Sequence, residues 1–152
     1  MMLGFKRRFK PMVLDHSKFH TIRAKGARRW RVGVICDCYC DARQKTMHLL
    51  GRFPCVKVEE ITITLREDRW IEIRIAGVML TPDEASAFAW RDGFRPRGSS
   101  ERNPKDSLGL MMEFWIYEHR VDEKPFVGDL IFWDPEAEVS EADRWRKVAR
   151  AA

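Results

Sequence analysis

The stretch Phe53-Pro54-Cys55-Val56-Lys57-Val58-Glu59-Glu60-Ile61-Thr62-Ile63-Thr64-Leu65, followed after Arg66-Glu67-Asp68 by Arg69-Trp70-Ile71-Glu72-Ile73-Arg74-Ile75, decides how the chain is read. Val56, Val58, Ile61 and Ile63 recur at strand spacing in the first segment, and the second alternates without a break. Both are therefore strands, the second with one wet face, and Glu67-Asp68 is the tight turn of a hairpin.

Upstream, Val32 to Asp41 is a strand by its β-branched and aromatic content, and Ala42 to Arg52 is a polar connection to the hairpin. Further back lie a short strand at Met2 to Phe5, a helical turn or two at Pro11 to Ser17, and a basic, irregular Lys18 to Arg31 broken by Gly26. Downstream, Thr81 caps a helix, Pro82 suits its first position, Asp83 and Glu84 complement its dipole, and Gly93 stops it after Arg91. Arg95 to Lys105 has no apolar period and is a loop of the length that often serves function. A second helix, Asp106 to His119, carries Leu108, Met111, Met112 and Trp115 at helical spacing, a stripe most simply read as core. Phe126 to Trp133 returns to strand, and Ser140-Glu141-Ala142-Asp143 opens a terminal helix. Strands flanking two helices argue for an α+β fold in which a small barrel or curled sheet has helices at its side. The expected organisation is one barrel domain over 1–138 with a helical extension of the same domain over 139–152.

At 152 residues the chain has the size of one domain, with nine Phe and six Trp to fill its core. Its longest apolar stretches, such as Val32 to Cys36, are far shorter than the roughly 20 residues of a membrane span. The opening residues have no export-signal pattern, so a cytoplasmic protein with no membrane partner is expected. The net charge of +5 is unevenly spread: residues 1–31 hold ten Lys or Arg against Asp15 alone, a local +9, so the remainder carries −4. A field concentrated in this way attracts phosphate, because lysine and arginine on a polyanion release its counterions. The competing reading is a solvated basic surface.

Cys36, Cys38 and Cys40 alternate along the Val32 strand, and Cys55 lies on the next. On a strand the three sulfurs point to one face, which reads as a thiol-lined core. A tetrahedral metal site needs converging thiolates, which C-x-C-x-C on a strand splays apart, so neither zinc nor any other cofactor is expected.

Residues 16–23 read His-Ser-Lys-Phe-His-Thr-Ile-Arg. Lys18, Thr21 and Arg23 match the K-x-x-T-x-R part of the G-x-K-x-x-T-x-R signature of the ASCH family, a branch of the PUA-like superfamily. Trp30-Arg31-Val32-Gly33 resembles that family's entry into its barrel, without the acid that usually follows the glycine. Asp83 to Phe94 resembles a helix ending in Glu-Gly-Phe, and Met112-Glu113-Phe114-Trp115 the helix before the last strand. The chain departs from the pattern twice, with His16 at the signature glycine and Asp92 at the glutamate of enzyme-like members. Glycine at the first position can supply a positive φ.

The resemblance implies a PUA-like barrel and a cleft for RNA or a modified nucleoside. It also implies, from some small members, hydrolysis of an acetylcytidine-type N-acyl group with Thr21 as nucleophile, Lys18 as activator and Asp92 as partner. A threonine hydroxyl does need a nearby base at neutral pH, and lysine serves where burial or cations such as Arg23, Lys25, Arg28 and Arg29 lower its pKa. The alternative is a Lys18–Asp92 ion pair with Thr21 as a capping hydroxyl. His16 and His20, four apart, offer a metal-independent ribonuclease reading, while Trp30 or Trp90 could stack a base. A binding module without chemistry accounts for the basic segment equally well.

Overall fold

In the computed structural model, residues 1–26, 29–98, 100, 102 and 106–143 are described. Seven strands run in chain order as β1 (Met2–Phe5), β2 (His20–Ala24), β3 (Ile35–Cys40), β4 (His48–Leu65), β5 (Ile71–Ile75), β6 (Val78–Met79) and β7 (Phe126–Trp133). The α-helices are α1 (Lys10–Leu14), α2 (Pro82–Asp92) and α3 (Ser107–His119), with a 3-10 turn at Arg7–Phe9 before α1. This is the expected α+β class. The strands pair along the path β1-β3-β4-β5-β6, and β7 pairs with both β4 and β2. No pairing among the described residues joins one end of that path to the other, so the closed barrel expected from the sequence is not formed by these pairings. No helix among the described residues is long and apolar enough to cross a membrane.

Two compact units result. The first holds residues 1–19, 30–58 and 132 onward, and the second holds 20–29 and 59–131. In the first, β1 lies parallel to β3, and β3 runs antiparallel to β4 from Ile35↔Pro54 to Cys40↔His48. His48 to Arg52 therefore belongs to β4, where the sequence points to a polar connection. The register slips between Cys38 and Tyr39, and such a bulge hides a strand from any strict two-residue period. Gly51 sits at this irregularity because a Cβ there would meet the Phe53 ring at 2.5 Å. The core gathers Leu3, Phe5, Val13, Phe53 and Trp133, with Trp133 edge-on to Phe5 at 5.9 Å and stacked on Phe53 at 6.4 Å between centroids.

Cys36, Cys38, Cys40 and Cys55 are free and buried in this unit. Burial, reinforced by the neighbouring Cys38 and Cys55, pushes the Cys36 thiol far above its ordinary range, and burial raises Cys55 as well. All four sulfurs are buried away from reagent, so they are expected to react with a disulfide reagent only as fast as the protein unfolds. Rapid modification of one thiol in native buffer would contradict their placement in the core.

In the second unit the predicted hairpin is present, with Ile63 directly opposite Ile73 and Leu65 opposite Ile71. Ile61, Ile63 and Ile73 are all but inaccessible, each stabilising by about 1.5–3 kcal/mol on burial. A second turn, Ala76-Gly77, has positive φ at both residues (51° and 78°) and folds β6 back onto β5. Residue order alone does not reveal β6, since alanine is an uncommon first residue in a turn of this kind. Helix α2 follows its local code closely. Thr81 accepts from Glu84 N, Glu84 answers on Thr81 N, and Gly93 closes the helix at φ 108°.

Helix α3 buries Leu108, Met111 and Trp115. β2 falls in the segment expected to be irregular; it forms by pairing with β7, where the Arg23 carbonyl comes so close that any Cβ at Gly128 would collide with it. Only a glycine on β7 allows that approach. At the C-terminus, Ser140 Oγ accepts from Asp143 N at 3.1 Å, the start of the expected helix, and 144–152 lie outside the described residues. So do positions 99, 101 and 103–105 of the Arg95 to Lys105 loop.

Candidate functional site

The segment that resembles the ASCH signature begins where α1 ends. Asp15 accepts from Ser17 N at 2.9 Å, and His16 takes up φ 65°, the left-handed region. The position at which the family carries glycine is thus one where glycine is favoured, and histidine is among the non-glycine residues that tolerate it. His16 is exposed, with its ring 5.9 Å from that of Phe53. His16→Gly is expected to remove roughly 1–2 kcal/mol of left-handed backbone strain, partly offset by the roughly 0.4–1 kcal/mol that glycine's freedom in the unfolded chain costs, and to be read as a slightly higher urea midpoint. A lower midpoint would mean that the ring contact with Phe53 outweighs the backbone strain.

Lys18 follows. Its backbone N donates to Met12 O at 2.9 Å, tying it to α1, and the residue is only 2% exposed. The ammonium lies 5.2 Å from the Phe9 ring centroid and 5.9 Å from that of Phe5. Aromatic faces so placed attract a cation through their quadrupole. Among the described residues, Lys18 alone of the lysines and arginines is buried.

In the second unit, β2 carries His20 (2% exposed) and Thr21 (6%), then half-buried Arg23. Successive strand residues face opposite ways, so His20 shares a face with Ile22, and Thr21 with Arg23. His20 Nδ1 lies 3.3 Å from Asp92 Oδ1, and its ring stacks on Phe88 with centroids 5.0 Å apart and planes 13° apart. Asp92 and Phe88 are both on α2, four residues apart, so they project from one helix face. Asp92 is itself buried and in the last turn, against the negative end of the helix dipole. The contact has ion-pair rather than hydrogen-bond geometry, and an imidazolium there would offset that cost.

The remaining candidates are more dispersed. Lys25 Nζ donates to Glu60 Oε2 at 2.6 Å on the surface of the second unit, a bond that raises the lysine pKa. Arg29 is exposed, and Trp30 is half-buried in the first unit. Arg28 lies outside the described residues. Trp90 has one ring face covered by the Arg95 guanidinium at 3.8 Å from its centroid.

Within one unit, then, the structure brings His20 together with Asp92. His16 and His20 share no helical face, since α1 ends at Leu14 and His20 opens β2. From sequence, His20 reads as a ligand-contacting or ribonuclease histidine and Asp92 as the partner of Lys18. The contact of His20 with a carboxylate 72 positions away has no local pattern that could announce it. No family model, curated protein or solved structure matches this chain. The chemistry open to the site therefore rests on its own residues.

Proposed function

We propose that this chain is an ASCH-like, PUA-like protein of the cytoplasm that binds RNA or a modified nucleoside through a basic N-terminal face. We further propose that it hydrolyses an N-acylated pyrimidine nucleoside with Thr21 as nucleophile, Lys18 as activator and Asp92 as the supporting carboxylate. One observation carries the reading. Six polar or charged side chains are buried among the described residues, and four of them, Lys18, His20, Thr21 and Asp92, are candidates drawn from the sequence pattern. Burying a lysine or an aspartate costs several kcal/mol, so folds seldom do it without a use for the group. The +9 charge of residues 1–31 supports a phosphate-bearing partner.

The test begins with binding. Affinity for short single-stranded RNA should fall steeply with salt, with a slope of about −0.7 per phosphate neutralised. Flat salt dependence, or no binding at low salt, removes RNA as the partner. Incubation with N-acylated and unmodified cytidines, with products weighed by mass spectrometry, then separates hydrolysis from binding.

A second reading is favoured by the contact of His20 with Asp92. A buried imidazole 3.3 Å from a carboxylate is a candidate general acid–base, the equipment of a metal-independent ribonuclease. RNA cleavage that survives Lys18→Arg and disappears with His20→Ala would select it.

A further inference from the structure

Outside these residues, the second unit holds a cavity of about 510 Å³ between the β4–β5 turn, β6 and the first turns of α2 and α3. Its walls are Ile71, Met79, Leu80 and Leu108, and the Trp70 indole stands at its side, 55% exposed. That volume falls within the range that holds one small molecule, and an apolar lining with few polar groups is what such sites share.

The charges around the cavity say which molecule. Among the described residues, four charged ones line it: Arg66, Asp68, Glu72 and Asp106. Arg66, the one cation of these four, is taken up by Asp68 at 3.4 Å, and Glu72 is taken up by Arg74 at 3.3 Å. Asp106 is left. It stands at the N-cap of α3 without capping it, at φ 63°, and its carboxylate has no partner among the described residues. The Trp70 ring likewise has no aromatic or cationic neighbour among them. An open indole face and an unpaired carboxylate on one apolar cavity are complementary to a positive charge borne on a flat apolar body.

We infer that this cavity is a binding site for a small organic cation with an aromatic or similarly flat apolar body, an amine rather than a phosphate. It is independent of the function proposed above. A nucleotide would set its phosphates against the unpaired Asp106, so the site differs in kind from the basic N-terminal segment.

Three probes of one shape test it: 2-naphthylmethylamine, 2-naphthylmethanol and 2-naphthoate, titrated at low salt while methyl NMR signals of Met79, Leu80 and Leu108 are followed. The amine should bind about tenfold tighter than the alcohol, the worth of a partly desolvated cation–π and carboxylate contact, and the naphthoate weakest. Trp70→Ala should weaken the amine about tenfold and Trp70→Phe should restore most of the loss, while Asp106→Asn should bring amine and alcohol together. Because Trp70 and Asp106 are both exposed, these changes leave the fold intact, as the unchanged spectra of the free variants would show. Equal affinity for all three probes, preference for the naphthoate, shifts confined to other methyl groups, or no binding would each overturn the inference.

Discussion

If the protein is the amidohydrolase proposed above, Lys18→Ala is expected to abolish turnover of an N-acylated pyrimidine nucleoside, a loss of about 10²–10⁴-fold, because the Thr21 hydroxyl would then keep its proton. Lys18→Arg should not restore it, since a guanidinium cannot give up a proton in this pH range. Thr21→Ser should keep part of the activity and Thr21→Val none. If the protein only binds, the same substitutions behave differently. Lys18→Arg keeps the charge and most of the RNA affinity, whereas Lys18→Ala weakens binding modestly and lowers the salt slope by about one. Arginine at position 18, followed by both turnover and affinity, therefore separates the two classes. Arginine is also bulkier in a site only 2% exposed. Folding of each variant should accordingly be checked by denaturation before its turnover is interpreted.

Asp92→Ala is expected to lower the stability of the protein by about 1–3 kcal/mol, the usual consequence of taking the partner from a buried polar group. The His20 and Asp92 side chains are 3% and 9% exposed, so water and salt screen their interaction little. An opposing effect exists, because a negative charge in the last turn of α2 is unfavourable and its loss returns about 0.3–1 kcal/mol. Loss of the pair outweighs that relief, so the variant is destabilised. Asp92→Asn keeps the shape of the side chain without its charge and should cost less than Asp92→Ala. Urea unfolding with an unchanged slope measures both. A fully stable Asp92→Ala protein would show that the contact does not hold α2 against β2.

Much of the local structure was legible from residue order. Thr81, Pro82, Glu84 and Gly93 encode both ends of α2 within a dozen positions, and the structure uses each as expected. The Ile61–Ile75 hairpin was equally clear, because a sheet with one buried face imprints a two-residue period on its strands. Local order gave no warning of β2 or of the first residues of β4. His20 to Ala24 has no alternation, and its strand exists through β7, whose Gly128 lies more than a hundred positions away. His48 to Arg52 is polar enough to read as a loop, and pairing with Tyr39 and its neighbours makes it a strand.

The same division runs through the candidate site. Sequence alone singled out the candidates, since Lys18, Thr21 and Arg23 stand at the spacing of a known signature and the basic charge is gathered in the first 31 residues. It also marked position 16 as one where glycine would be at home, a matter of backbone sterics that a single residue type reveals. Tertiary structure decided that Lys18, Thr21 and Asp92 are buried, that His20 meets Asp92 across 72 residues, and that Trp70 and Asp106 border one cavity. Burial and charge pairing depend on which surfaces the folded chain brings together, and that is set by long-range packing rather than by the order of neighbouring residues.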